Sequence, residues 1–313
     1  MSKIVIVGGT GFVGRTLVHM LVSAGHRVDV LSRNRERQRE LLIYPAVRVI
    51  STDVYDPKAL ARAFRGADAV VNLVGILNEF GNSGRGFEKA HVSLTRTIVD
   101  ACGEAGVSRL IQMSALNAGA GQSHYLRTRG QAEDVVKQSS LDWTLIRPSV
   151  IFGPGDGLFM RFAALLRIAP VLPLARASTR FAPVWVGDVA CAIVSALNRS
   201  ESVGRTYELG GPETLTLKEI CQYTATTLGL KRWIVPIPDV IARLQGLAFD
   251  YLPVPLKAFS SDNYRSLLLD SVPQTDGLAD LGIRATPIEQ VVPAYLGDGK
   301  QRILDDYRAE IRR

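Results

Sequence analysis

Cysteine is scarce in this chain, with three residues among 313. Cys102, Cys191 and Cys221 are scattered and odd in number, which argues against a disulfide framework and against a metal site. We therefore expect a reducing compartment and no bound metal.

Long apolar runs are also lacking. No uninterrupted apolar stretch reaches the ~18 residues that a membrane-spanning helix needs. The apolar stretch 17–24 follows four glycines and no basic segment beyond Lys3, so it does not have the pattern of a signal peptide. The sequence predicts a cytoplasmic protein with no signal peptide or transmembrane helix, and a peripheral position at the inner face of the membrane stays open.

Charge is unbalanced toward basic residues, with a net charge of +7 and a pI of about 9.4. Part of the excess comes from two groups of arginines: Arg33, Arg35, Arg37 and Arg39, and Arg308, Arg312 and Arg313. Such charge keeps a protein soluble, and it also favours an acidic partner or anionic lipid. No basic stripe is interleaved with aromatic residues, so we expect no nucleic-acid partner.

Glycine, in contrast, is concentrated near the start of the chain. The run GGTGFVG at 8–14 follows the β-branched stretch 3–7 and opens a helical stretch. Glycine lets the backbone approach a pyrophosphate, and the free amides at a helix start face the anion. The predicted dinucleotide-binding residues are Gly8, Thr10, Gly11, Phe12, Val13 and Gly14.

The first half of the chain alternates between strand and helix patterns, which predicts a parallel sheet covered on both faces. Strands are predicted at 3–7, 27–31, 47–50, 69–74, 109–113 and 143–146. Helices are predicted at 12–24, 35–42, 57–64, 87–105 and 125–137.

After Pro148 this alternation breaks down, apart from a helix at 188–197 and a strand at 206–209. The sequence therefore predicts an α/β protein: a Rossmann-like, doubly wound parallel sheet with a smaller, discontinuous C-terminal domain. The nucleotide-binding domain is assigned to 1–155 plus about 183–210. The smaller substrate or partner domain is assigned to about 156–182 plus 211–313.

The choice of nucleotide depends on the residues that end the second strand. NAD-binding proteins usually carry an acidic residue about 20 positions after the glycine turn, where it holds the ribose 2′-hydroxyl. Here Ser32 and Arg33 stand at that point, and Arg15 directly follows Gly14. Guanidinium groups favour a 2′-phosphate. We therefore expect NADP(H) to be preferred, with NAD(H) also accepted, unless these arginines are only solvated surface charges.

Two further segments are predicted to contact the cofactor. Asp53 and Val54 follow the third strand, where a carboxylate can accept a hydrogen bond from the adenine amino group. Val74 and Gly75 close the fourth strand, and the glycine allows backbone to approach the cofactor. The alternatives are a helix cap for Asp53 and an ordinary turn for Gly75.

Taken together, these motifs resemble a short-chain dehydrogenase/reductase of the extended or atypical, epimerase/dehydratase-like kind. The match covers most of residues 1–215 and includes GGTGFVG at 8–14 and NLVG at 72–75. Three later stretches resemble the NADPH-binding accessory subunits of respiratory complex I and their bacterial homologues: YLR at 125–127, RPSVIFGPGD at 147–156 and RFAPVWVGDVA at 180–190.

The resemblance implies a catalytic tyrosine with a lysine four residues later, and a serine after the fifth strand that holds the substrate oxygen. Tyr125 and Ser114 match two of these positions, and Pro148 falls in the matching cofactor segment. The lysine position is Arg129, which supplies charge and donors for ribose but cannot lose a proton at working pH. His91 falls where many extended members carry an active-site asparagine; it either bridges water or has a structural role.

Two functions stay open at this stage. One is a cofactor-binding structural or regulatory protein that docks on a respiratory or membrane-associated assembly, with Tyr125 and Arg129 binding the nicotinamide ribose. The other is an active oxidoreductase or epimerase that uses Tyr125, Arg129 and Ser114 on a small hydrophobic or quinone-related ligand. The apolar stretches 158–185 and 233–259, both carrying arginine or proline, either pack as core and lid or present a pocket, partner or membrane face.

Overall fold

The computed structural model describes residues 1–38, 40–251 and 259–297. Arg39, the arginines near residue 310 and the prolines at 253 and 255 lie outside this description. The strands are β1 Lys3–Val7, β2 Arg27–Ser32, β3 Val47–Ser51, β4 Ala69–Asn72, β5 Arg109–Met113, β6 Asp142–Pro148, β7 Ile151–Phe152, β8 Val171–Leu174, β9 Arg180–Phe181, β10 Val184–Trp185, β11 Arg205–Leu209, β12 Leu215–Thr216 and β13 Trp233–Pro236.

Helices cover both faces of the sheet and build most of the C-terminal part. They are α1 Phe12–Ser23, α2 Pro57–Phe64, α3 Arg85–Phe87, α4 Leu94–Ala105, α5 His124–Lys137, α6 Phe159–Ile168, α7 Val186–Leu197, α8 Leu217–Thr227, α9 Asp239–Phe249, α10 Ser261–Ser266, α11 Gly277–Asp280 and α12 Ile288–Leu296. A π-helical stretch, Glu88–Ser93, joins α3 to α4, and single 3₁₀ turns span Arg35–Arg37 and Ser200–Ser202.

Seven parallel strands form the main sheet, in the order β11-β6-β5-β4-β1-β2-β3. The strand order reverses between β1 and β4, which places a crevice at their carboxyl ends. This confirms the predicted Rossmann-like doubly wound sheet.

Alternate residues of β1 point to opposite faces of the sheet. Ile4 and Ile6 pack with α1 and α7, whereas Val5 and Val7 pack with α2 and α4. All four side chains are at most 2% exposed, because helices cover the sheet on both sides. Burial on both faces explains why β1 is a continuous apolar run.

The C-terminal part packs into its own small clusters. Side chains of α6, α8 and α12 surround Phe159 and Ile220, and β8 pairs with β13 in a separate two-stranded parallel sheet. No helix or strand was predicted from the sequence for these segments. The overlooked signal was Thr216 with Glu219, which form a capping box at the start of α8. The domain boundaries themselves stay a prediction.

Two predicted helices differ in the structure. Residues 35–42 were expected to be helical, but among those described only Arg35–Arg37 form a single 3₁₀ turn. Residues 35–40 are all charged or polar, so they offer no apolar stripe that would hold a longer helix on the sheet. The predicted helix 87–105 instead begins with the π-helical stretch Glu88–Ser93, which contains His91.

The close approach of Gly130 and Gly119 gives a test of the packing. A Cβ atom at Gly130 would lie 2.4 Å from Cα of Gly119. We expect Gly130→Ala to lower the free energy of unfolding by about 1–3 kcal/mol in denaturant titrations. Gly103→Ala is the matched control, since Gly103 is also helical and a Cβ there meets no atom within 4 Å. It should raise stability by about 0.5–1 kcal/mol. Equal effects of the two changes would contradict this packing.

Candidate nucleotide-binding site

The glycine turn follows β1 directly and leads into α1. Gly8 has φ +86°, and Gly11 caps α1 without any side-chain hydrogen bond to the first amides. A Cβ at Gly14 would lie 2.5 Å from the backbone of Gly9. A cradle of this shape, with free amides at a helix start, fits a pyrophosphate. The sequence-predicted residues of the turn therefore lie together.

The turn faces the loop after β4 across the crevice. A Cβ at Gly8 would lie 3.1 Å from the amide nitrogen of Val74. The buried side chain of Asn72 shapes this loop: its Oδ1 accepts from the amide of Val74 at 3.1 Å, and its Nδ2 donates to Gln112 at 2.9 Å. The Asn72 side chain thus ends β4 two residues earlier than predicted.

The residues expected at the adenine end lie after β2 and β3. Ser32 is buried, and its hydroxyl donates to the carbonyl of Asn34 at 3.2 Å. Arg33 is exposed. Asp53 accepts from the amide of Tyr55 at 3.0 Å. Burial raises the pKa of Tyr55, and nearby Arg33 acts against that shift. Arg33, Asp53 and Tyr55 are therefore close neighbours.

Two contacts at this end differ from what the sequence analysis expected. The helix cap of α2 is Asp56, which accepts from the amides of Lys58 at 3.0 Å and Ala59 at 3.3 Å, so Asp53 is not the cap. Arg15 is paired with Glu40, and its Nε donates to the carbonyl of Thr10 at 3.2 Å. A carboxylate thus already partners one of the two arginines expected to meet a 2′-phosphate.

Arg129 lies between the loop after β4 and the end of β5. It is 6% exposed, and its Nη1 donates to the carbonyls of Met113 at 2.9 Å and Val74 at 3.3 Å. A Cβ at Gly75 would lie 1.9 Å from Nη2 of Arg129, so only glycine leaves room for the guanidinium. Its Nε has no hydrogen-bond partner among the described residues.

Tyr125 lies one helical turn before Arg129 on α5. The guanidinium carbon is 5.5 Å from the centre of the tyrosine ring. Phe87 and His91 pack edge-on against the same ring, with centroid distances of 6.2 and 5.6 Å. The Tyr125 hydroxyl makes no hydrogen bond to the part of the chain that the structure describes. Tyr125 and Arg129 are thus in contact, as their spacing predicts.

His91 connects the loop after β4 to α5. Its Nε2 accepts from the amide of Ile76 at 3.3 Å, so its Nδ1 carries the proton and donates to Thr128 at 2.8 Å. Burial, followed by the charge of Arg129, lowers the pKa of His91 to about 2. The ring is therefore neutral across the physiological range, and this geometry favours the structural alternative for His91.

Ser114 belongs to a buried ionic network. Its hydroxyl donates to Glu133 at 2.6 Å. Arg147 binds the same carboxylate through two hydrogen bonds of 2.7 and 2.6 Å, and Lys137 donates to it at 3.1 Å. This contact does not support the predicted role of Ser114 at the substrate oxygen. The network was missed in the sequence, although Glu133 stands four residues after Arg129, on the same side of α5.

Two more contacts join later parts of the chain near the site, one at the end of β6 and one at the start of α5. Pro148 ends β6, and its carbonyl accepts from the amide of Leu116 at 3.1 Å. Asp262 of α10 accepts from the amides of His124 at 2.6 Å and Tyr125 at 3.1 Å. The C-terminal part of the chain therefore caps the helix that carries Tyr125.

These features define a dinucleotide-binding protein of the α/β class. A family model described as NAD(P)H-binding matches residues 8–157. The chain is 30% identical over 290 residues to NADH dehydrogenase [ubiquinone] 1 alpha subcomplex subunit 9 of Arabidopsis thaliana, covering 87% of this chain and 71% of that protein. It is 29% identical over 319 residues to a ceramide reductase of Caulobacter vibrioides, covering 98% and 94%.

A solved structure, MoeE5 in complex with UDP-glucose and NAD, has the same fold. It superposes with a TM-score of 0.73 at 17% identity, covering 96% of this chain and 99% of that one. The chain belongs to the NAD(P)-binding short-chain dehydrogenase/reductase family, in the group that includes subunit 9 of the complex I alpha subcomplex. None of the helices in the described ranges is long and apolar enough to cross a membrane.

The Glu133 network should make stability depend on acid pH. Burial alone would raise the pKa of Glu133, but the hydrogen bonds from Arg147 and Ser114 outweigh it, so the pKa is lower in the folded state than its usual 4.5. The resulting stability is present above pH 4.5 and is lost as the pH falls through the folded pKa.

We expect Glu133→Gln to lower the free energy of unfolding at pH 7 by about 3 kcal/mol and to flatten its decline in acid. Urea titrations at several pH values measure both effects. Asp134→Asn is the control, because Asp134 directly follows Glu133 but is exposed. This change should alter the free energy of unfolding by less than about 0.5 kcal/mol. If the free energy of unfolding of Glu133→Gln declined in acid as steeply as that of the unaltered protein, the role of this network would be contradicted.

Proposed function

We propose that this chain holds NADP(H) as a structural or regulatory component of a respiratory or quinone-related assembly, and that it is not a fast dehydrogenase. The carrying observation is the position of Arg129. Its guanidinium donates to two backbone carbonyls, of Met113 and Val74. An arginine does not lose a proton at working pH, so it cannot relay one as a lysine does.

The cofactor contacts follow from the crevice. We assign the pyrophosphate to the turn at Gly8, Thr10, Gly11, Phe12, Val13 and Gly14, and the adenosine end to Arg15, Ser32, Arg33, Asp53 and Val54. We assign the nicotinamide ribose to Val74, Gly75, Tyr125, Arg129 and Pro148. A bound nicotinamide cofactor supplies hydride transfer in active members of the family. In this chain we propose that the residues around the cofactor bind it and orient it.

The proposed partner assembly is suggested by the proteins to which this chain is similar. Subunit 9 of the alpha subcomplex is named as part of the ubiquinone-dependent NADH dehydrogenase in its organisms. We propose that this chain docks on a related respiratory or membrane-associated assembly, at the inner face of the membrane. The engagement of Ser114 by Glu133 supports a binding role, since the Ser114 hydroxyl already donates its proton to that carboxylate.

A second function is favoured by Tyr125. Its hydroxyl has no partner within the described ranges, and it adjoins the crevice where the family's reaction takes place. The ceramide reductase of Caulobacter vibrioides is a relative of similar length. The alternative is therefore an oxidoreductase or epimerase that uses Tyr125, with Arg129 and Ser114, on a small hydrophobic or quinone-related substrate.

Titration with NADPH and NADH tests the choice of cofactor. We expect NADPH to bind at least about tenfold more tightly, because a charge-assisted hydrogen bond to a 2′-phosphate contributes about 1.5–3 kcal/mol. Arg33→Ala should remove most of this preference and leave NADH binding unchanged. Glu40→Gln should strengthen NADPH binding, because it releases Arg15. Arg35→Ala is the control. Equal affinities, or identical behaviour of Arg33→Ala and Arg35→Ala, would refute the preference.

Arg129→Lys tests whether the arginine limits turnover. We expect it to raise any weak carbonyl reductase activity about tenfold or more, because it restores an ammonium that can support proton transfer. The gain should vanish in the double variant Arg129→Lys with Tyr125→Phe. Steady-state oxidation of NADPH measures the rate. Rapid turnover by the unaltered protein, abolished by Tyr125→Phe alone, would establish the second function in place of the first.

A further inference from the structure

Helix α9 presents its large apolar side chains to the outside. Only Ala242 and Gly246 are buried, and a Cβ at Gly246 would lie 3.0 Å from the backbone of Ser261. The helix therefore packs on α10 through its smallest residues. Four of its five large apolar side chains are at least half exposed: Val240 69%, Ile241 53%, Leu244 62% and Leu247 50%. The fifth, Phe249, is partly buried.

The loop after β4 extends this apolar surface toward the crevice. Leu77 is 62% exposed and Phe80 is 68% exposed. The loop is fixed to the end of α9, because the amide of Gly81 donates to the carbonyl of Asp250 at 3.0 Å. Tyr251, the next residue, is 76% exposed. We name Val240, Ile241, Leu244, Leu247 and Tyr251, with Leu77 and Phe80, the α9 surface.

A second apolar face lies just before α9 in the chain. On the two-stranded sheet, Trp233 pairs with Val171, and Val235 pairs with Pro173. All four are exposed, whereas Leu172, Leu174 and Ile234 pack inward. Two residues separate the end of β13 from the start of α9. An exposed tryptophan on such a face is typical of a protein segment at a membrane–water boundary.

The charges on these elements are complementary to an anionic surface. Arg243 is exposed on α9, three residues after Val240 and one before Leu244, and it makes no ion pair within the described ranges. Lys231 and Arg167 are exposed beside the sheet face. The one exposed acid of α9, Asp239, is paired with Arg176 at 3.1 Å. The core of a protein interface is depleted of lone charges, whereas lipid phosphates accept them.

We propose that the α9 surface docks on an anionic phospholipid bilayer. The helix lies in the interface with its leucines among the acyl chains and Arg243 at the phosphates. Asp262 of α10 caps the helix that carries Tyr125, so docking holds the nicotinamide end of the crevice close to the lipid. The inference deepens the proposed function and rests on its peripheral location, with lipid as the direct contact.

Sedimentation with protein-free vesicles tests the proposal on the full chain. We expect binding to phosphatidylcholine vesicles that contain phosphatidylglycerol, and at least about tenfold weaker binding to phosphatidylcholine alone. Added salt should weaken the binding. The double variant Leu244→Gln with Leu247→Gln should lose about tenfold or more in affinity. Arg243→Gln should lose about fivefold, and only on the anionic vesicles.

Ile43→Gln is the matched control, since Ile43 is 71% exposed and lies outside the α9 surface. It should bind vesicles like the unaltered protein. NADPH affinity, measured on the same preparations, should be equal in all variants and shows that each is folded. Absent binding, equal binding to both vesicles, or equal losses in control and α9 variants would overturn the proposal. Binding to native membranes but not to protein-free vesicles would also overturn it, and would leave the proposed docking on a protein assembly standing.

Discussion

The guanidinium of Arg129 holds together the carboxyl ends of β4 and β5, and the surrounding site depends on this contact. Two carbonyls from neighbouring strand ends accept its hydrogen bonds. Gly75 must lack a Cβ for the guanidinium to fit, and the positive charge adds to the burial that keeps His91 neutral. His91 in turn fixes the loop after β4 to α5. A single cation thus helps to fix the loop after β4 and the protonation state of His91, which packs on the Tyr125 ring.

Binding and catalysis make separate demands on this crevice, and the chain meets them unequally. The glycine turn needs only close backbone approach and free amides, and both are present at Gly8 and Gly11. Proton transfer needs a group that can exchange protons and a free serine hydroxyl. Arg129 lacks the first property, and Ser114 is engaged by Glu133. The contacts of Arg129 and Ser114 therefore support the proposed binding role.

The later part of the chain contributes more to the site than its sequence suggests. Asp262 caps α5 from a short helix about 140 positions away, a distance at which sequence pattern carries no information. Helix α9 was not predicted from the sequence, for a different reason. Its apolar residues point outward and its small residues inward, so its pattern resembles core packing. The capping box at Thr216 was readable but overlooked, because proline and glycine nearby suggested irregular structure.

The sequence by itself determined the sheet, the glycine turn and the family, because these depend on local patterns: apolar strands, a turn that tolerates no side chain, and short motifs. It also placed Tyr125 and Arg129 in contact, since four residues make about one helical turn. Only the tertiary structure decided which partners the polar residues take. The pairing of Arg15 with Glu40, of Ser114 with Glu133 and of α5 with Asp262 joins residues distant in the chain, and such hydrogen bonds depend on how the elements pack.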